Sequence, residues 1–143
     1  LMSELLAIKP GDRVLEVGTG SGYQAAVLDA MGAEVYSVEI IPELARAAAE
    51  RLRDLGYDHV HVAERDGYYG WPEHAPYRAI IVTAAPDHIP QPLIGQLADG
   101  GRLVIPVGPP GMSQVLWCVE RHGQDFTSRQ ITGVVFVPLT GKH

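Results

Sequence analysis

Residues Val14-Leu15-Glu16-Val17-Gly18-Thr19-Gly20-Ser21-Gly22-Tyr23 carry an apolar strand pattern into a turn with glycine at every second position. A helical pattern follows from Tyr23. Such a turn is a small-molecule cradle: glycines take positive φ without strain and lack the Cβ atoms that would hold a ligand off the main chain. The helix N-terminus behind them offers unpaired N–H groups to the same space. The next strand pattern ends in Glu39, whose two oxygens can accept hydrogen bonds from a ribose diol. A third ends near Asp66-Gly67, where a carboxylate can accept from an exocyclic amine and glycine leaves room for a flat base; the competing reading is an ordinary turn.

The glycine spacing narrows the ligand. Dinucleotide folds favour G-x-G-x-x-G, whose third glycine permits close helix–strand packing under a pyrophosphate. Here that position is Tyr23, and the glycines fall at 18, 20 and 22. The pattern favours S-adenosylmethionine, which has no phosphate to hold, over a nicotinamide dinucleotide.

Elements alternate along the chain. Strand patterns fall at residues 13–17, 34–38, 60–63, 79–83, 102–106, 115–121 and 133–138, with helical patterns at 23–31, 42–55 and 90–97. Pro42 suits a first helical turn, and Leu44, Ala45, Ala48, Leu52 and Leu55 make an apolar stripe. The expected fold is α/β and Rossmann-like, a mostly parallel sheet with helices on both faces and an antiparallel C-terminal hairpin. Ligands of such sheets bind beyond the carboxyl ends of the strands, where strand order reverses. That gathers Glu16 to Gly22, Glu39, Asp66-Gly67 and Thr83-Ala84-Ala85 around one crevice. Residues 1–8 read as the last turns of an amphipathic helix, stopped by Lys9-Pro10-Gly11-Asp12, with sequence expected upstream.

Composition sets bounds. The 143 residues, 46% hydrophobic, suit one globular domain. A net charge of −6 with no basic run argues against a nucleic-acid surface. With Cys118 the single cysteine, no internal disulfide forms, and a cytoplasmic site is the simplest reading. No stretch reaches membrane-spanning length. His59 and His61 lie two apart on one strand face without a third ligand in view, so an exposed strand edge is expected and a metal is not. Cys118, inside an apolar strand, reads as an inert buried thiol, Trp71-Pro72 as a packing anchor, and His88 as a loop histidine near where substrate would enter.

The glycine turn, Glu39, Asp66-Gly67-Tyr68 with Gly70-Trp71-Pro72, Ala75-Pro76-Tyr77, Ile80-Ile81-Val82-Thr83-Ala84-Ala85, the run from Gly100 to Gly108, and Val137-Pro138-Leu139-Thr140-Gly141 occur in one order. Together they resemble the protein-L-isoaspartate O-methyltransferases, class I methyltransferases, over essentially all of the chain. The resemblance implies methyl transfer from S-adenosylmethionine to the α-carboxylate of L-isoaspartyl residues in damaged proteins, with S-adenosylhomocysteine as product and no metal. It implies a cofactor site of Glu16, Gly18, Gly20, Ser21, Gly22, Glu39, Asp66, Gly67 and Thr140. The glycines and Ser21 would line the methionine part, Glu39 the ribose, Asp66 with Gly67 the adenine, and Thr140 would close over the ligand. Partners would be isoaspartyl peptides and proteins, met by a monomer. The family's serine associated with catalysis would precede Leu1, so no catalytic residue is assigned within the chain. Many relatives also carry Asp where this sequence has Arg78, at the strand end away from the crevice. A cofactor-binding piece without activity, or another small-molecule methyltransferase of the same class, is the alternative.

Overall fold

The computed structural model describes residues 7–109 and 114–134. Its centre is β1 (Arg13–Val17), in which Val14, Leu15 and Val17 are all buried. A strand apolar on both faces needs a layer above and a layer below, the environment of an inner parallel strand. The others are β2 (Glu34–Glu39), β3 (Val60–Glu64), β4 (Tyr77–Val82), β5 (Leu97–Val107), β6 (Gln114–His122) and β7 (Asp125–Val134). They form one seven-stranded sheet in the order β3-β2-β1-β4-β5-β6-β7. Pairing is parallel from β3 across to β5 and antiparallel through β6 and β7. Strand order therefore reverses between β1 and β4, and a crevice opens beyond their carboxyl ends.

Helix α1 (Tyr23–Ala30) and helix α2 (Pro42–Asp54) cover one face. Ala25, Leu28 and Leu52 reach from them into a core with Val14, Val35, Ile81 and Val104. On the other face Leu93 of the single-turn α3 (Gln91–Ile94) packs with Leu15, Ile80 and Leu103. Two 3-10 turns, Gly67–Tyr69 and Pro72–His74, help to cover that second face, with Trp71 and Tyr36 beneath them.

The expected parallel sheet with its antiparallel finish is present, with several boundaries moved. The final strand begins at Asp125 rather than residue 133, after a tight turn at Gly123 and Gln124. It runs at the sheet edge and Asp125 to Gln130 are exposed, so no apolar alternation marks it. The third helix stops at Ile94 because Leu97 already pairs with Tyr77 as the start of β5. In α2 the buried stripe is Ala45, Ala48 and Leu52, whereas Leu44 and Leu55 are 41% and 67% exposed. The expected helix at residues 1–8 lies almost wholly outside the described residues, as do 135–138. In the segment that follows, the Lys9 N–H donates to the Asp12 carboxylate. Among the described residues no helix is long and apolar enough to cross a membrane.

Candidate functional site

Each glycine of the turn has its own reason to lack a side chain. Gly18, at φ +100°, donates its N–H to the Val38 carbonyl at 2.9 Å, and a Cβ there would stand 2.5 Å from Thr83 Oγ1. The Thr83 hydroxyl lies 3.1 Å from the carbonyl oxygens of both Val17 and Gly18, tying the end of β1 to β4. Gly22 (φ +90°) caps α1, and a Cβ there would meet Leu52 at 3.2 Å. Gly20 differs: φ is +54° and nothing lies within 4 Å of its absent Cβ. Space is open there.

Glu39 ends β2 beside this loop and is only 7% exposed. Its Oε1 accepts the Gly20 N–H at 2.9 Å and its Oε2 accepts the Ile41 N–H at 3.1 Å. A carboxylate offers about four acceptor positions, so each oxygen keeps one for a ligand diol. The acid has two tasks, shaping the loop and presenting acceptors.

Behind the loop runs a buried chain of hydroxyls. Register pairs Glu16 with Ser37, so both side chains leave the same face of the sheet. Ser37 donates to Glu16 Oε1 at 2.5 Å, and the Thr19 and Ser37 hydroxyls lie 2.6 Å apart. Ser37 has one proton, already given to Glu16, so Thr19 must be the donor to Ser37. Glu16 is inaccessible, and its Oε2 is buried with no hydrogen-bond partner. Burial pushes its carboxyl up to about 8; the Ser37 bond opposes that shift and the Glu39 charge adds to it.

At the third strand end Asp66 caps the following turn, its Oδ1 accepting the Tyr68 N–H at 3.0 Å. Gly67 is buried, and a Cβ on it would come 2.3 Å from Val17 Cγ1. Val17 fills the side on which a side chain would stand, which is a packing reason for glycine at this position. Gln96 holds the next stretch: its Oε1 accepts the Trp71 N–H at 3.0 Å and its Nε2 donates to the Tyr69 carbonyl at 2.9 Å. Across the rim, the Tyr68 hydroxyl and His88 Nε2 are 3.0 Å apart, and His88 Nδ1 meets Asp87. His88 is an exposed loop histidine, hydrogen-bonded to both neighbours.

The structure brings Glu16, Gly18, Gly20, Gly22 and Glu39 together, with Asp66 and Gly67 at the end of the adjoining β3. Ser21 is exposed, is not the helix cap, and its carbonyl accepts from Arg51. Thr140 lies outside the described residues. The sequence reading missed Ser37, Thr19 and Gln96. A serine inside the apolar run of β2 was the available signal. Trp71 packs edge-on to Tyr36 and His74, as an anchor should. Cys118 is buried, and burial raises its thiol, so it stays in the unreactive form. His59 and His61 both bond the Glu34 carboxylate, at 2.9 and 2.6 Å.

The chain matches the sequence model of the family described as protein-L-isoaspartate(D-aspartate) O-methyltransferase over residues 1–143. It is 57% identical to protein-L-isoaspartate O-methyltransferase 1 of Cupriavidus necator over 144 aligned positions, which cover 100% of this chain and 56% of that protein. A relative of the same description from Gloeobacter violaceus is 57% identical across 97% of this chain and 68% of its own length. Among solved structures, a protein-L-isoaspartate O-methyltransferase superposes with a TM-score of 0.90 at 31% identity, covering 96% of this chain and 45% of that one. A Plasmodium falciparum beta-aspartate methyltransferase in complex with S-adenosyl-L-homocysteine gives a TM-score of 0.76 at 26% identity, over 92% of this chain and 67% of that one. The chain thus spans little more than half the length of the Cupriavidus relative. On this match across its whole sequence, the chain belongs to the protein-L-isoaspartate(D-aspartate) O-methyltransferase family.

Proposed function

We propose that this chain is the S-adenosylmethionine-binding core of an enzyme that methylates the α-carboxylate of L-isoaspartyl residues in proteins and so begins their repair. The observation that carries the reading is Glu39, a buried carboxylate at the strand-order reversal with one acceptor position left on each oxygen. Family membership supplies the substrate class. The residues fit an adenosyl amino acid: Glu39 takes the ribose diol, and the open space at Gly20 admits the ligand against the main chain. Glu16 has a bare buried oxygen below the same loop. Gly18, Ser21 and Gly22 line the methionine part in this reading, Asp66 with Gly67 stands at the adenine end, and Thr140 closes over the ligand.

S-adenosylmethionine supplies a methyl group on sulfonium sulfur, so a carboxylate oxygen can form the new C–O bond as the C–S pair leaves on sulfur. The substrate carboxylate, with an ordinary pKa of about 3.5, is already ionised at neutral pH, and no strong base is required of the protein. What the chain must do is hold oxygen, carbon and sulfur in line and keep water out. The clamp of Gly18 between Val38 and Thr83 and the Gly20–Glu39 bond make that loop rigid before binding. The neighbouring backbone nitrogen then attacks the ester carbonyl, its proton leaving with the methoxy group as methanol, and the resulting succinimide reopens with water to aspartate.

Titration with S-adenosylhomocysteine and with NAD tests the cofactor, and methyl transfer to an isoaspartyl peptide tests the reaction. Binding of S-adenosylhomocysteine but not NAD, with esterification of the isoaspartyl peptide and not its aspartyl isomer, is expected. Binding with no transfer would reduce the chain to a cofactor-binding piece; NAD binding would sink the reading.

A further inference from the structure

Tyr68 and His88 meet although the strands that carry them are not neighbours. Tyr68 follows β3, which ends at Glu64, and His88 follows β4, which ends at Val82. In the sheet, β2 and β1 lie between those two strands. At about 4.8 Å per strand spacing, β3 and β4 stand roughly 14 Å apart. Yet the Tyr68 hydroxyl and His88 Nε2 are 3.0 Å apart, with ring centroids at 5.5 Å. The turn after β3 covers much of the gap. A Cβ on Gly67 would stand 2.3 Å from Val17 Cγ1 and 3.7 Å from Val38 Cγ2, so the chain has crossed from β3 past β2 to the end of β1. Val17 and Val38 belong to the core of the second face, whereas a Cβ on Gly22 of the glycine turn would meet Leu52 of the first. The Tyr68–His88 bridge therefore runs along the second-face side of the strand ends, at the point where strand order reverses.

The backbone beneath both side chains is fixed. Asp66 Oδ1 accepts the Tyr68 N–H at 3.0 Å, and Gln96 Nε2 donates to the Tyr69 carbonyl at 2.9 Å. On the other side the Gly108 N–H donates to the Pro86 carbonyl at 3.0 Å, and prolines at 86 and 90 flank the loop. His88 Nδ1 bonds the Asp87 carboxylate, which turns Nε2 toward Tyr68. The His88 side chain is nevertheless 45% exposed. A hydrogen bond so open to water adds little to folding stability. What this one does is close a gap between two rigid mounts.

We propose that Tyr68 and His88 form a strap over the adenine end of the crevice, and that the base of an adenosyl ligand enters and leaves when this bond parts. The inference rests on the cofactor reading above, in which Asp66 and Gly67 stand at the adenine end, and adds an exchange rate to it. Opening takes the rotation of one side chain and no movement of the pinned backbone. The strap closes over the empty and the filled site alike. Removing its bond therefore changes how fast the ligand exchanges and leaves the affinity almost as it was.

The test is stopped-flow binding of S-adenosylhomocysteine to the 143-residue chain, followed by tryptophan fluorescence. In Tyr68→Phe the association and dissociation rates should each rise about fivefold, the factor carried by one ordinary hydrogen bond, with Kd changed by less than about twofold. His88→Ala should do the same. The double variant should be no faster than either single one, since all three lack the same bond. His88→Gln keeps a polar end for Tyr68 and should return towards the parent rates. The ligand 5′-methylthioadenosine, which has the base and lacks the amino-acid tail, should be accelerated equally. Circular dichroism and Tm of each variant check that the fold is kept. Unchanged rates in both single variants, additive acceleration in the double variant, faster dissociation without faster association, or acceleration confined to S-adenosylhomocysteine overturns the strap and leaves the cofactor reading standing. Failure of the parent chain to bind S-adenosylhomocysteine overturns both.

Discussion

Gly20 donates its backbone N–H to Glu39 Oε1 at 2.9 Å, so the glycine turn and the acid of the next strand are joined without a ligand. The second oxygen of the same carboxylate holds Ile41. Glu39 is therefore a structural anchor and a binding group at once, and its removal must be read on both scales.

For Glu39→Ala, S-adenosylhomocysteine affinity is expected to fall by roughly 1.5–3 kcal/mol, the value of a charge-assisted acceptor pair. Tm should fall as well, because two backbone N–H groups lose their acceptor. Glu39→Gln keeps one acceptor oxygen and should recover part of the stability while binding remains weak. Calorimetry and thermal melts on the same samples check this; unchanged affinity in both variants would remove Glu39 from the site.

The glycines separate a packing role from a ligand role. Gly67→Ala drives a Cβ to within 2.3 Å of Val17 Cγ1 and should cost about 1–3 kcal/mol of stability by overpacking. Val17→Ala introduced beside it should return part of that loss. Gly20→Ala meets nothing within 4 Å, so only the left-handed backbone is strained, at about 1–2 kcal/mol. Its larger effect should be on affinity, because the new methyl enters open space beside the Gly20–Glu39 contact. Denaturation midpoints and ligand titrations of the three variants give the comparison. Normal binding by Gly20→Ala would show that the ligand does not approach there.

How much of this was legible in the sequence follows from the range of each interaction. The glycine turn and Glu39 could be read because local spacing and strand alternation place them. The Glu16–Ser37 pair could not, since it depends on the register of β1 against β2, and register is not written in either strand alone. The Glu34 bridge between His59 and His61 was hidden for the same reason, being a cross-strand contact of β2 with β3. Strand β7 escaped notice because an edge strand exposed along Asp125 to Gln130 needs no apolar period. At Gly67 the folded chain adds a packing demand, the closeness of Val17, that spacing in the sequence does not display.

Glu34 provides a test at acid pH. Its hydrogen bond with His61, then that with His59, holds its carboxyl below the ordinary 4.5. A carboxyl depressed on folding binds fewer protons in the folded chain, so its contribution is present above the unfolded value and disappears as pH falls through the folded one. Because the side chain is 33% exposed, solvent screens the pair and the effect should be small. Denaturation midpoints of the parent and of Glu34→Gln should converge as pH drops below about 4.5, having differed at pH 6. A constant gap through that window would show that the histidines do not stabilise the ionised form.

Glu16 has the opposite sign. Its folded value of about 8 stands above the ordinary 4.5, so the folded chain holds a proton that the unfolded chain gives up between those limits. Stability of the ligand-free chain should therefore decline as pH rises from about 5 towards 8, by a slope approaching about 1.4 kcal/mol per pH unit at most. Glu16→Gln, uncharged at every pH, should abolish that slope and surpass the parent at pH 8. Urea denaturation at half-unit steps of pH measures both curves. A parent whose stability is level from pH 5 to 8 without ligand would show that Glu16 is already ionised in the empty site.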